Sequence, residues 1–115
     1  MTQQLQAFPE RRKSTRRPVC IAAFLHCHRL RRSAVIVDCS VGGLRIDSNA
    51  AVTIGERVAV ELLCGHRLPV QVMWVVGTQI GVRFLGTIQD GHPAQLALWE
   101  AVRKYKRRHP AELVA

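Results

Sequence analysis

Apolar residues recur at every second position through most of the chain, the period of a β-strand rather than a helix. In PVCIAAFLHCHRL, residues 18–30, Val19, Ile21, Ala23, Leu25 and Cys27 fall on one face. RRSAVIVD (31–38) is a second, short β-rich run, and GLRID (43–47) puts Leu44 and Ile46 on one side. ERVAVELL alternates through Val58, Val60 and Leu62; RLPVQVMWVV does so through Leu68, Val70, Val72, Trp74 and Val76; TQIGVRFL repeats the pattern with Ile80, Val82 and Phe84. Six short strands with Gly, Asn or charged breaks between them predict an antiparallel barrel or sandwich, not a βαβ sheet. Pro69, which has no N–H to give a ladder, implies an edge position or a bulge. Trp74 and Phe84 lie on apolar faces and read as core.

After the last strand the period changes. Leu98, Ala101, Val102 and Tyr105 recur at i, i+3, i+4 and i+7, which predicts a C-terminal helix that Asp90 can cap. Lys104, Lys106, Arg107 and Arg108 crowd its last turns, where cations oppose the negative end of the macrodipole. That placement gives the cluster a structural reason.

With 115 residues and 48% hydrophobic content, the chain has room for one domain with a real core and is not a disordered polymer. Residues 1–10 read as a loose N-terminus, 11–108 as the domain and 109–115 as a tail. The longest uncharged apolar run, Val19 to Leu25, is too short to span a bilayer. No charged n-region precedes an apolar h-region at the start, so a cytoplasmic protein is expected. Cys20, Cys27, Cys39 and Cys64 show no CxxC spacing and read as small buried hydrophobes in a reducing compartment. His26, Cys27 and His28 invite a metal reading, but on one strand His26 and His28 would share a face while Cys27 points away. Zinc normally wants four convergent ligands, so no metal is expected.

Charge narrows the partner. There are 17 Lys and Arg against 8 Asp and Glu, a formal net charge of +9. The cations cluster: five from Arg11 to Arg17, three at Arg29, Arg31 and Arg32, and five from Arg103 to Arg108. Arginine-dominated clusters favour an anionic partner over a merely solvated surface.

The candidate chemistry lies in VDCSVGGLRID, residues 37–47. In a tight turn, Asp38 and Ser40 can project from the same side. A carboxylate matches the adjacent N1–H and N2–H donors of guanine, and the hydroxyl adds a donor or acceptor. Gly42 or Gly43 supplies a positive φ or lets a ring approach the backbone. Alone, an Asx-turn with a structural glycine explains the pattern. The upstream segment RRKSTRR changes the balance. Arg12 and Arg16 are four apart, and arginine's planar fork takes a phosphate, or the O6 and N7 acceptors of guanine, through two parallel hydrogen bonds. A ligand carrying both phosphate and guanine would use the arm and the turn together.

At these residues the chain resembles the PilZ domain family, receptors for bacterial cyclic di-GMP. Arg12-Lys13-Ser14-Thr15-Arg16 matches its RxxxR motif, and Asp38-Cys39-Ser40-Val41-Gly42-Gly43 its DxSxxG motif. Ile46 fits an apolar position that often follows, and VQVMWVVGTQIGVRF looks like the family's late hairpin. The resemblance covers roughly residues 10–108. It implies a six-stranded antiparallel β-barrel with a C-terminal α-helix. It further implies that Arg12 and Arg16 hold phosphate and the guanine Hoogsteen edge, that Asp38 and Ser40 read the base, and that Gly43 shapes the turn. Arg11 stands where family members with arginine tend to bind two intercalated cyclic di-GMP molecules. The interior Lys13-Ser14-Thr15 lacks the aromatic or proline often found there, and Arg17 competes for the role given to Arg16.

The expected function is therefore a single-domain cyclic di-GMP receptor and adaptor. Its arginine arm would order over the barrel mouth and change interactions with an unidentified downstream protein. No Ser–His–Asp arrangement, Gly-rich phosphate loop or carboxylate pair can be placed, so no enzyme and no cofactor are expected. Two alternatives stand beside this reading. One is a basic nucleic-acid-binding barrel, disfavoured because aromatics are only 5% of the chain and such sites need stacking platforms. The other is a degenerate family member that binds proteins alone.

Overall fold

The computed structural model describes residues 17–85 and 93–108. The chain forms β1 (Arg17–Cys27), β2 (Leu30–Cys39), β3 (Gly43–Asp47), β4 (Arg57–Leu62), β5 (Arg67–Val76), β6 (Gln79–Phe84) and helix α1 (Pro93–Arg108). The strands close into an antiparallel barrel in the order β1-β2-β3-β6-β5-β4, with β4 returning to β1 through pairs such as Leu25 with Val60. Closure leaves no free sheet edge.

The alternating residues explain why the barrel closes. Leu25, Ile36, Ile46, Val60, Leu68, Val70, Val72 and Ile80 are buried on its inner face. Burial of one such side chain contributes roughly 1.5–3 kcal/mol. The apolar stripe of α1, Leu98 and Val102 with Ala94, joins the same core as the helix lies against β1 and β5. Pro93 opens the helix, where its missing N–H has no intrahelical partner to lose. Lys106, Arg107 and Arg108 fill the last turn. Asp90, read as the cap, lies outside the described residues.

Pro69 sits in a closed barrel, yet at a local edge. It pairs with Ala59 on one side, and on the other its carbonyl accepts the Leu85 N–H at 3.1 Å, just past the end of β6. The N and O of a strand residue point the same way, so its missing donor faces a stretch where no ladder continues. The bulge in β5 falls elsewhere, between Val72 and Trp74.

Two sequence expectations change. The run through Leu30 is not one strand: His28 and Arg29 have φ of 50° and 64° and form a two-residue hairpin loop between paired Cys27 and Leu30. His28 therefore shares no strand face with His26. His26 pairs with Glu61 of β4, and His28 with Glu56 at 2.7 Å. The thiols also divide. Cys27 and Cys39 are buried, and burial pushes the Cys27 thiol up from its ordinary value, but Cys20 and Cys64 are exposed. Cys20 lies between the inward Val19 and Ile21, and Cys64 in the turn after β4. Among the described residues no helix is long and apolar enough to cross a membrane.

Candidate functional site

The turn between β2 and β3 is closed by the Ser40 N–H donating to the Gly43 carbonyl at 3.0 Å, and it is tied to the end of β6 by the Phe84 N–H donating to the Gly42 carbonyl at 2.9 Å. Neither Gly42 nor Gly43 has a positive φ. Gly43 is required for another reason. A Cβ there would run into the Val82 carbonyl oxygen and stand 2.9 Å from the Arg83 Cα, so only glycine lets β3 pack this closely on β6. The close approach seen at Gly43 is that of the β6 backbone.

Two bulges then build a row across four strands. Simple alternation from Ile36 would aim Asp38 into the core. The β2–β3 register shifts between Ile36 and Asp38, so Asp38 comes opposite Arg45, on the face away from Ile36 and Ile46. Likewise, alternation from Val72 would send Trp74 inward, but the β5–β6 register shifts between them and sets Trp74 opposite Gly81. Arg45 and Gly81 are themselves paired. Asp38, Arg45, Gly81 and Trp74 thus stand side by side, and directly opposed residues share a face of the sheet. Trp74 is half-buried outside the barrel, so its assignment to the core is corrected. Its indole covers Gly81, where any Cβ would strike the ring. Phe84, by contrast, does pack against the core.

The chemistry of the row is polar at one end and aromatic at the other. Asp38 is buried, and its Oδ2 accepts from Arg45 Nη2 at 2.9 Å. The Arg45 Nε is buried without a partner among the described residues, a costly state for a donor. Beside the row lies a concavity of about 240 Å³ lined by Ser40, Gly43, Trp74, Gly81 and Arg83 among others. Arg83 is held at its edge by Gln71 Oε1, which accepts from its Nε at 3.0 Å and its Nη2 at 2.6 Å; Gln71 in turn donates to the Gly55 carbonyl.

Of the residues singled out from sequence, Ser40 and Gly43 line this concavity, and Asp38 stands in the adjoining row. Arg11, Arg12 and Arg16 lie outside the described residues, immediately upstream of β1. Sequence reasoning missed Trp74, Arg45 and Arg83. The arginines carried a signal, since each is the outward residue between inward apolar ones (Leu44 and Ile46, Val82 and Phe84). Trp74 carried one only jointly with Gly81, because a strand glycine marks a bulge or a close approach.

The family model described as PilZ domain matches residues 10–99, which takes in the RKSTR and DCSVGG segments, the whole barrel and the first half of α1. No curated protein matches the chain.

Proposed function

The chain belongs to the PilZ domain family, and from that premise we propose that it is a cyclic di-GMP receptor whose arginine arm closes the site and alters contacts with a partner protein. PilZ domains are in general cyclic di-GMP-binding adaptor modules, not enzymes. The observation that carries the reading for this chain is the row Asp38–Arg45–Gly81–Trp74. It sets a half-buried indole and the Ser40 turn around one concavity, with a guanidinium-oriented carboxylate in the adjoining row.

Each part answers to a part of the ligand. The Asp38 carboxylate accepts from N1–H and N2–H of a guanine, with Arg45 fixing where its oxygens point, and Ser40 supplies one more polar contact. The indole of Trp74 offers a base-sized face, a contact worth roughly 1–3 kcal/mol. Arg12 and Arg16 take the phosphates and the Hoogsteen edge by paired hydrogen bonds. Five cations within seven residues repel one another, and a dianion removes that repulsion, so binding favours one arrangement of the arm. Arg11 admits a second, intercalated nucleotide, giving a stoichiometry of two.

Calorimetry with cyclic di-GMP tests this. Binding to the wild type should vanish in Arg16→Ala and in Asp38→Ala, and the stoichiometry should fall in Arg11→Leu. No heat from cyclic di-GMP together with steeply salt-dependent DNA binding would move the site to the nucleic-acid reading. No heat and no DNA binding would leave a protein-interaction module.

A further inference from the structure

A second cleft, of about 640 Å³, runs between α1 and the side of the barrel formed by the start of β1 and the β4–β5 turn. It shares no lining residue with the rim concavity. One wall is a stripe of α1 through Ala97, Ala101, Lys104 and Arg108. The floor includes Ile21 and Leu62, and Leu63, 69% exposed, stands at its lip. Apolar surface of this kind, left open beside cations, marks an interaction site rather than a solvated face.

We propose that this cleft is a docking groove for an acidic amphipathic helix of a partner protein. Three observations select that occupant. From Ala97 to Arg108 the wall is about 16 Å long, or three helical turns, a length that suits a short partner helix laid along it. A bilayer, being flat, would leave the concavity empty. Charge decides the rest. Glu100, the carboxylate in the lining, is engaged by Arg103 at 2.7 Å and reached by Arg107 at 4.0 Å. Lys104 and Arg108 form no ion pair among the described residues and face the occupant with positive charge. A second copy of a +9 chain would bring like charge to the same place. Leucines on the inner face of an acidic helix would meet Ile21, Leu62 and Leu63, and its glutamates would meet Lys104 and Arg108.

The proposal stands apart from the nucleotide reading, and its test separates the two. Three designed helical peptides share one leucine stripe at i, i+3 or i+4 and i+7, with flanks of Glu, Gln or Lys. Their binding is followed by fluorescence anisotropy on the full chain, without and then with cyclic di-GMP. The Glu peptide should bind best, with one peptide per chain. Leu63→Asp should weaken it about tenfold or more, as loss of an apolar anchor does. Lys104→Glu with Arg108→Glu should reverse the order so that the Lys peptide binds best. The cysteines give an independent readout: bound peptide should slow alkylation of exposed Cys20 and Cys64, both in the cleft lining, while buried Cys27 and Cys39 stay unreactive. Absence of binding by all three peptides, or binding indifferent to flank charge and to Leu63→Asp, overturns the proposal. So does protection of the thiols by dodecanoate but not by peptide, which would make the cleft a lipid site. Nucleotide heat retained in Leu63→Asp assigns the loss to the groove, and a wild type that ignores cyclic di-GMP leaves the peptide result standing.

Discussion

Two polar clusters sit on the outside of this barrel, and they are built differently. On the β1–β2–β4 side, His26 pairs with Glu61, Arg31 lies 3.8 Å from the same carboxylate, and the Arg31 guanidinium covers the Phe24 ring at 3.8 Å. From Ile21 to Cys27 the strands there run in regular register, and each group has found a partner within the protein. On the β2–β3–β6–β5 side, two bulges interrupt the register, a buried guanidinium nitrogen has no partner among the described residues, and an indole lies over a glycine beside a concavity. The first cluster is complete and needs no ligand. The second has been shaped at a cost to its own pairing, which is where a binding site is expected.

The comparison can be broken at several points. The largest effect belongs to Gly43→Ala. Its Cβ meets backbone, which cannot rotate away, so the substitution should cost about 3 kcal/mol or more and show as a large drop in Tm, with loss of ligand binding. Trp74→Ala should separate function from fold. Cyclic di-GMP affinity should fall about tenfold to a hundredfold, the size of one lost stacking contact of roughly 1–3 kcal/mol, while the drop in Tm should stay below that of Gly43→Ala because the indole lies outside the barrel core. Equal affinity in that variant would remove the aromatic end of the row from the site.

Smaller effects probe the complete cluster. The hydrogen bond from His26 holds the Glu61 carboxyl below its ordinary value of 4.5, with His26 and Arg31 charge adding to it. A depressed carboxylate contributes stability above its unfolded value and loses it as pH falls through the folded one. The Tm advantage of wild type over Glu61→Gln should thus be present near neutral pH and shrink below about 4.5, with nucleotide binding unchanged throughout. A variant that altered the nucleotide affinity would erase the distinction between the clusters. The smallest effect has the opposite sign: Arg29→Gly, at φ 64°, should relieve left-handed backbone strain and raise stability by roughly 0.5–1 kcal/mol, read as a slightly higher Tm.

These points also mark what could be seen in the sequence. The strands and helix were legible because alternation and 3.6-residue periodicity come directly from where the core lies. Asp38, Ser40 and Gly43 were legible as a chemical set. What failed was anything that shifts parity. The bulge before Trp74 inserts one residue into the pairing and leaves no mark in the apolar pattern, so the indole was assigned to the core. The same bulge logic aims Asp38, but there the carboxylate's chemistry drew attention independently of its facing. The His28-Arg29 loop was hidden because such two-residue turns favour Asn-Gly or Gly-rich pairs. Cys20 and Cys64 were misjudged because residue type outweighed strand parity and turn position.

The central claim is that cyclic di-GMP binds on the row, against Trp74. The chain has two tryptophans, so the two indole N–H resonances in a ¹H–¹⁵N spectrum report two places at once: Trp74 in the row and Trp99 on α1. Titration with cyclic di-GMP should move the Trp74 indole resonance in step with the calorimetric isotherm, and the same titration of Asp38→Ala should leave it still. Saturable binding with the Trp74 resonance unmoved would place the nucleotide elsewhere and contradict the account.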